Sequence, residues 1–210
     1  MSSEPAGRIA WVVSRGACGL VGVRCDDDGM IGPVIVVTGL PGSGKTTLAR
    51  QLSASLGLPL LSLDSVKEAL VDHVDCDDRI AIRAAARNVI ARIVPDCPRG
   101  CIIDIWVNPV RDHGDVRDAL LGLDAAWFLE VVCTVPVELA IERYADRPRH
   151  QAHLPADQGT IDRIREAAPM IGPLGLGPAR AVDTSQEVDL EALVGWLRSV
   201  EQGGRAPGVS

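Results

Sequence analysis

Short β-branched apolar runs alternate along the chain with longer stretches whose apolar residues recur every three to four positions, a pattern that predicts strands separated by helices. The first run, Val34-Ile35-Val36-Val37-Thr38, has no charged interruption and reads as a strand covered on both faces. Residues 60–63, 101–105, 127–135 and 180–182 supply four more strands. After the first run, Leu48, Ala49, Leu52 and Leu56 keep helical spacing and stop at Gly57, a residue suited to a C-cap. Asp64 or Ser65 is placed to cap a helix through Val71, with Glu68 in capping-box position, and residues 79–94 form an alanine-rich helix closed by Pro95. Further helices are expected near residues 116–121, 136–145, 160–168 and 188–200. The whole implies an α/β fold with a five-stranded parallel sheet between two helical layers.

A chain of 210 residues suits one such domain. Residues 30–202 carry the pattern; residues 1–29, with the acidic Asp26-Asp27-Asp28, read as an N-terminal extension foreign to it, and 203–210 as a tail. Aromatic residues make up only 3% of the chain, so base stacking on rings is not expected as a recognition mode. The formal net charge of -7 argues against a duplex nucleic-acid partner, which draws on basic surface. The six cysteines show no C-x-x-C pair, so buried free thiols in a reducing cytoplasm are expected. No apolar run is long enough to span a bilayer, and a monomer or weak dimer is expected.

The candidate chemistry begins directly after the first strand. Gly39-Leu40-Pro41-Gly42-Ser43-Gly44-Lys45-Thr46 matches G-x-x-x-x-G-K-[ST] in full. In this context successive backbone N–H groups cradle phosphate oxygens, and the start of the next helix adds its dipole. Gly39, Pro41, Gly42, Ser43, Gly44, Lys45, Thr46 and Thr47 are therefore the residues expected against a nucleotide, Lys45 on the β- and γ-phosphates and Thr46 on Mg²⁺.

The residues beyond the loop decide among its many users. There is no Asn-Lys-x-Asp guanine motif and no Leu-Ser-Gly-Gly-Gln signature. Asp104, at the end of the third strand, is a second metal-holding candidate and is followed by Ile105-Trp106 rather than by a water-orienting glutamate. That favours phosphoryl transfer to a substrate over hydrolysis. Asp64, at the end of the second strand, is placed to orient an attacking hydroxyl; the same position also fits a helix cap. Either Asp64 or Asp104 could serve as the base. Arg143, Arg147 and Arg149 surround a proline-containing loop and suit a small lid whose guanidinium groups meet the transferring phosphoryl. Arg79, Arg83 and Arg87 share a helical stripe, read either as a solvated face or as a contact for an anion. His150 and His153 lack companions in zinc-ligand register.

The run from Val36 through Leu70, together with Cys133–Tyr144 and the Arg149–His153 segment, resembles the small bacterial P-loop kinases often labelled AAA-type ATPases, akin to polynucleotide kinase, chloramphenicol phosphotransferase and zeta-type toxins. The resemblance implies a nucleoside-monophosphate-kinase-like P-loop fold with an arginine lid. It sets Asp64 at the hydroxyl-activating position, Arg143 and Arg147 in the lid, and Asp183-Thr184-Ser185 with Arg180 beside the adenine. The resulting expectation is an ATP- and Mg²⁺-dependent kinase acting on a small-molecule hydroxyl. An ATP-binding regulatory module without transfer, and a toxin kinase acting on nucleotide-sugars, are the alternatives.

Overall fold

A computed structural model describes residues 31–123, 125–148 and 150–204, the side chains of 201–204 excepted. The extension at 1–29, Arg149 and the tail beyond 204 lie outside the described residues. Five strands, β1 (Val34–Gly39), β2 (Leu60–Ser62), β3 (Cys101–Asp104), β4 (Phe128–Thr134) and β5 (Ala179–Asp183), form one parallel sheet in the order β2-β3-β1-β4-β5. Among the described residues seven α-helices accompany them: α1 (Lys45–Leu56), α2 (Leu63–His73), α3 (Arg79–Ile93), α4 (His113–Leu121), α5 (Val137–Asp146), α6 (Gln158–Ala167) and α7 (Leu190–Gly204).

The two-residue alternation of β1 explains the layers. Val34 and Val36 join Cys101 and Ile103 against α2, α3 and α4, whereas Ile35 and Val37 join Ile102 and Val131 against α1 and α7. An apolar strand with both faces covered is what a parallel sheet requires. A third cluster, built on Leu40, Ala140, Ile141, Tyr144 and Ile164, packs α5 and α6 over the carboxyl end of the sheet, with Trp106 half-buried against it. The chain leaves β1 for the β2 edge and leaves β3 for β4 on the other side. The crevice at the carboxyl ends of β1 and β3 is therefore a switch point, where open α/β sheets bind ligands.

Local signals set most boundaries. Gly57 closes α1 with a left-handed backbone, φ 65°, and Asp78 caps α3 by accepting from the N–H groups of Ile80 and Ala81 at 2.8 and 3.2 Å. The start of α2 differs from the sequence expectation. Strand β2 ends at Ser62, whose hydroxyl is the cap and accepts from Ser65 N–H at 3.5 Å; Asp64 lies inside the first turn, and Glu68 reaches a distant histidine instead of closing a capping box.

Of the described cysteines, Cys97, Cys101 and Cys133 are buried and Cys76 half-buried, all free. Burial pushes the thiols of Cys101 and Cys133 up to about 12, which makes them core-filling groups rather than nucleophiles.

Glu130 is a charged residue in the middle of β4 with no solvent exposure. Its carboxylate accepts the N–H groups of Leu174 and of Leu176, the latter at 2.7 Å, and so fastens the glycine- and proline-rich approach to β5. Replacing Glu130 by alanine strands the buried Leu174 donor and the part-buried Leu176 donor, and a loss of about 3 kcal/mol in urea-unfolding free energy is expected. A loss under about 0.5 kcal/mol would show that the loop holds itself.

Candidate active site

The phosphate loop is shaped by its neighbours as much as by its glycines. A Cβ at Gly42 would stand 2.0 Å from the Ala140 carbonyl oxygen of α5, and Gly42 and Gly44 both have left-handed backbones, at φ 84° and 80°. Ser43 N–H donates to Leu40 O at 3.0 Å to close the turn. Gly44 is the N-cap of α1 and contributes no side-chain cap, so the first-turn N–H groups keep their donor capacity for an anion. Lys45 is buried against this loop at 7% exposure.

Asp104 organises the floor. The ladder pairs it with Val37 on one side and Ser62 on the other. Its Oδ2 accepts from Thr46 Oγ1 at 2.7 Å and from Ser62 Oγ at 3.1 Å, while Oδ1 is buried with no partner among the described residues. An unpartnered buried carboxylate oxygen beside a threonine hydroxyl is a donor set suited to a hard divalent cation. With the loop amides and Lys45, these residues fit a magnesium-bound nucleotide.

Asp64 lies on the same rim, in the first turn of α2, and forms an ion pair with Lys67 Nζ at 3.0 Å. Burial opposes its ionisation, yet Lys67, Lys45 and His153 together outweigh that and hold the carboxyl below its ordinary range. Lys67, three residues on, was missed in the sequence although its i,i+3 spacing announces the pair.

The segment after α5 docks on α2 through two histidines. His153 Nε2 lies 2.6 Å from Glu68 Oε1 and His150 Nε2 lies 2.9 Å from Asp72 Oδ1. Arg79 Nη2 donates to Gln151 O at 3.2 Å, and Tyr144 Oη to Leu154 O at 3.0 Å. Asp64, Glu68 and Asp72 thus form one acidic stripe on α2 that meets the lid.

Among the lid arginines, Arg143 Nη1 donates to Thr184 O at 3.0 Å, and Thr184 Oγ1 donates to Ser43 O at 2.6 Å, so Arg143 braces the loop through the segment after β5. Arg147 is exposed at the C-cap of α5. Arg180, on edge strand β5, holds its guanidinium over the Trp196 ring, 5.8 Å from the centroid, and donates to Ala192 O at 3.2 Å, against α7.

A cleft of about 570 Å³ opens on the other side of α2, beside the β2 edge; it touches Thr46 and Ser62 at one end, but apolar groups such as Leu61, Val66 and Leu70 line most of it. None of Asp64, Lys67 or His153 borders it.

A parallel five-stranded sheet with a full phosphate loop, a strand-end aspartate on the loop threonine and a helical lid defines the class of small P-loop kinases. Residues 34–170 match the model of a family described as an AAA domain, and the chain belongs to that family. An adenylate kinase of Nocardia farcinica is 30% identical over 55% of this chain and 71% of its own length, and a shikimate kinase of Corynebacterium glutamicum is 30% identical over 61% and 75%. The shared stretch covers as little as 17% of another curated relative. A crystal structure of a candidate kinase from Chloroflexus aurantiacus superposes with a TM-score of 0.64 at 28% identity, covering 83% of this chain and 98% of that one. No helix among the described residues is long and apolar enough to cross a membrane.

Two outcomes are expected from these contacts. Substituting Lys67 by alanine removes the nearest cation from Asp64 and raises its pKa; activity that needs the ionised carboxylate then fails at a higher pH, and the acid limb of the kcat/KM profile moves upward. An unmoved acid limb would take Lys67 out of this role. The double substitution Glu68→Gln with Asp72→Asn frees the lid, so amide hydrogen exchange at residues 150–154 is expected to accelerate in mass-spectrometric measurement; unchanged exchange would show that the histidine pairs do not hold the segment.

Proposed function

We propose that the protein transfers the γ-phosphoryl group of ATP to a hydroxyl group of a small molecule. The observation that carries this reading is Asp64, kept ionised beside Lys67 across the crevice from Lys45, with no glutamate following Asp104. The shikimate kinase among the relatives acts on an alcohol and the adenylate kinase on a nucleotide; the carboxylate at Asp64 supports the alcohol.

The loop amides and Lys45 hold the β- and γ-phosphates, and Thr46 with Asp104 holds the metal. Bound magnesium supplies charge neutralisation on the phosphate oxygens. Asp64 accepts the hydrogen of the acceptor hydroxyl and sets its oxygen in line with the phosphorus. A carboxylate below its ordinary pKa range is a weak base, so its work is orientation first and proton acceptance late, in keeping with a loose transition state. Arg147 and the unengaged N–H groups of Arg143 are the lid donors for the transferring oxygens. Buried apolar groups of α5 and α6 exclude water from above.

Lys45→Ala is expected to abolish acceptor-dependent ADP formation. Asp64→Asn is expected to bind ATP as the native protein does and to lose about a hundredfold or more in kcat across a panel of alcohols. Native turnover in Asp64→Asn would remove it from the mechanism.

A further inference from the structure

The α3 arginines divide their work in a way the transfer reaction leaves unexplained. Arg79 goes to the lid, but Arg83 Nη1 donates to Asp112 Oδ2 at 2.9 Å, and Arg111 grips the same carboxylate twice, Nε to Oδ1 and Nη2 to Oδ2, both at 2.8 Å. Asp112 is nearly buried, its side chain 11% exposed, while the side chains of Arg83 and Arg111 are 31% and 59% exposed. Asn108 Oδ1 accepts the N–H groups of Val110 and Arg111, both at 3.0 Å, which fixes the turn that presents Arg111. Arg87, one turn beyond Arg83, has no carboxylate partner among the described residues.

Two guanidinium groups therefore share one carboxylate, with Arg87 in electrostatic reach of Arg83, a surplus of positive charge. The surplus is felt: burial, then Arg111 and Arg87, disfavour the Arg83 cation, and Asp112 and Asp64 favour it. That balance sets Arg83 within electrostatic reach of Asp64, and α2 and α3, which carry the two residues, pack side by side. A salt bridge serving only to join α3 to α4 needs one arginine. A second one, half in solvent and with its Nη1 unengaged, is a fork held ready for planar or tetrahedral oxygens.

We propose that Arg83 and Arg111, oriented by Asp112, form an anion-binding subsite of the acceptor pocket, so that the hydroxyl compound phosphorylated here also carries a carboxylate or a phosphate group. This rests on Asp64 being the acceptor-side carboxylate. Asp112 is a positioning residue in it, and Arg87 adds charge without a fixed contact.

The test measures binding rather than turnover, so that it is separable from the kinase reading. The full chain saturated with MgADP is titrated calorimetrically with glycerol, with glycerate and with glycerol 3-phosphate. At least one anionic probe is expected to bind and glycerol is not; the better anion tells a carboxylate site from a phosphate site. Arg111→Gln, at the more exposed position, and Arg83→Gln are each expected to weaken the anion about tenfold or more, and Arg117→Gln, on the outer part of α4, to leave it unchanged. Thermal unfolding of each variant reports whether the fold survives, and Arg111→Gln decides should Arg83→Gln unfold. Equal affinity for glycerol and the anions, no anion binding at all, or native affinity in Arg111→Gln would overturn the proposal. Native anion binding together with absent phosphoryl transfer would sink the kinase reading and leave the subsite standing.

Discussion

One buried carboxylate, Asp104, sets the geometry on which the site depends. At 2% exposure it would be costly without partners, and it takes two hydroxyl donors from different elements, Thr46 on α1 and Ser62 at the end of β2. The first donor ties it to the helix that follows the phosphate loop. The second fixes where β2 stops, and because Ser62 is also the N-cap of α2, it fixes where α2 begins. Asp64 stands two residues later, so its place on the rim follows from a hydrogen bond to Asp104. The parallel register of β2, β3 and β1 brings these ends to one level, and of the two oxygens of Asp104 one takes both hydroxyls while the other is left without a partner among the described residues.

The sheet was legible because its information is local. Apolar runs without charge mark strands covered on both faces, and all five fall within two residues of their expected limits, as does the helix from Lys45 to Leu56. The phosphate loop was legible for the same reason, since strand, turn and helix are contiguous. The cap of α2 was not: choosing among Ser62, Asp64 and Ser65 depends on where β2 ends, and that is decided by Asp104, some forty residues away. Glu130 was hidden likewise. Its reason for lying in a buried strand is a pair of N–H groups at Leu174 and Leu176, which no pattern around residue 130 announces. The contact of Arg180 with Trp196 was not announced locally either, because the ring lies on the last helix.

The acidic stripe of α2 links the rim of the crevice to the segment after α5. Asp64 faces the crevice, while Glu68 and Asp72, one and two turns on, hold the lid through His153 and His150. All three are on one rigid helix, so the lid cannot leave without removing His153, one of the groups that keep Asp64 ionised. Moving the lid away would take one favourable charge from Asp64 and at the same time relieve the burial that opposes its ionisation, so the two effects on this carboxyl act in opposite directions. The segment that carries the two histidines and the carboxyl beside Lys67 are thus tied through one helix, so neither can shift without the geometry of that helix responding.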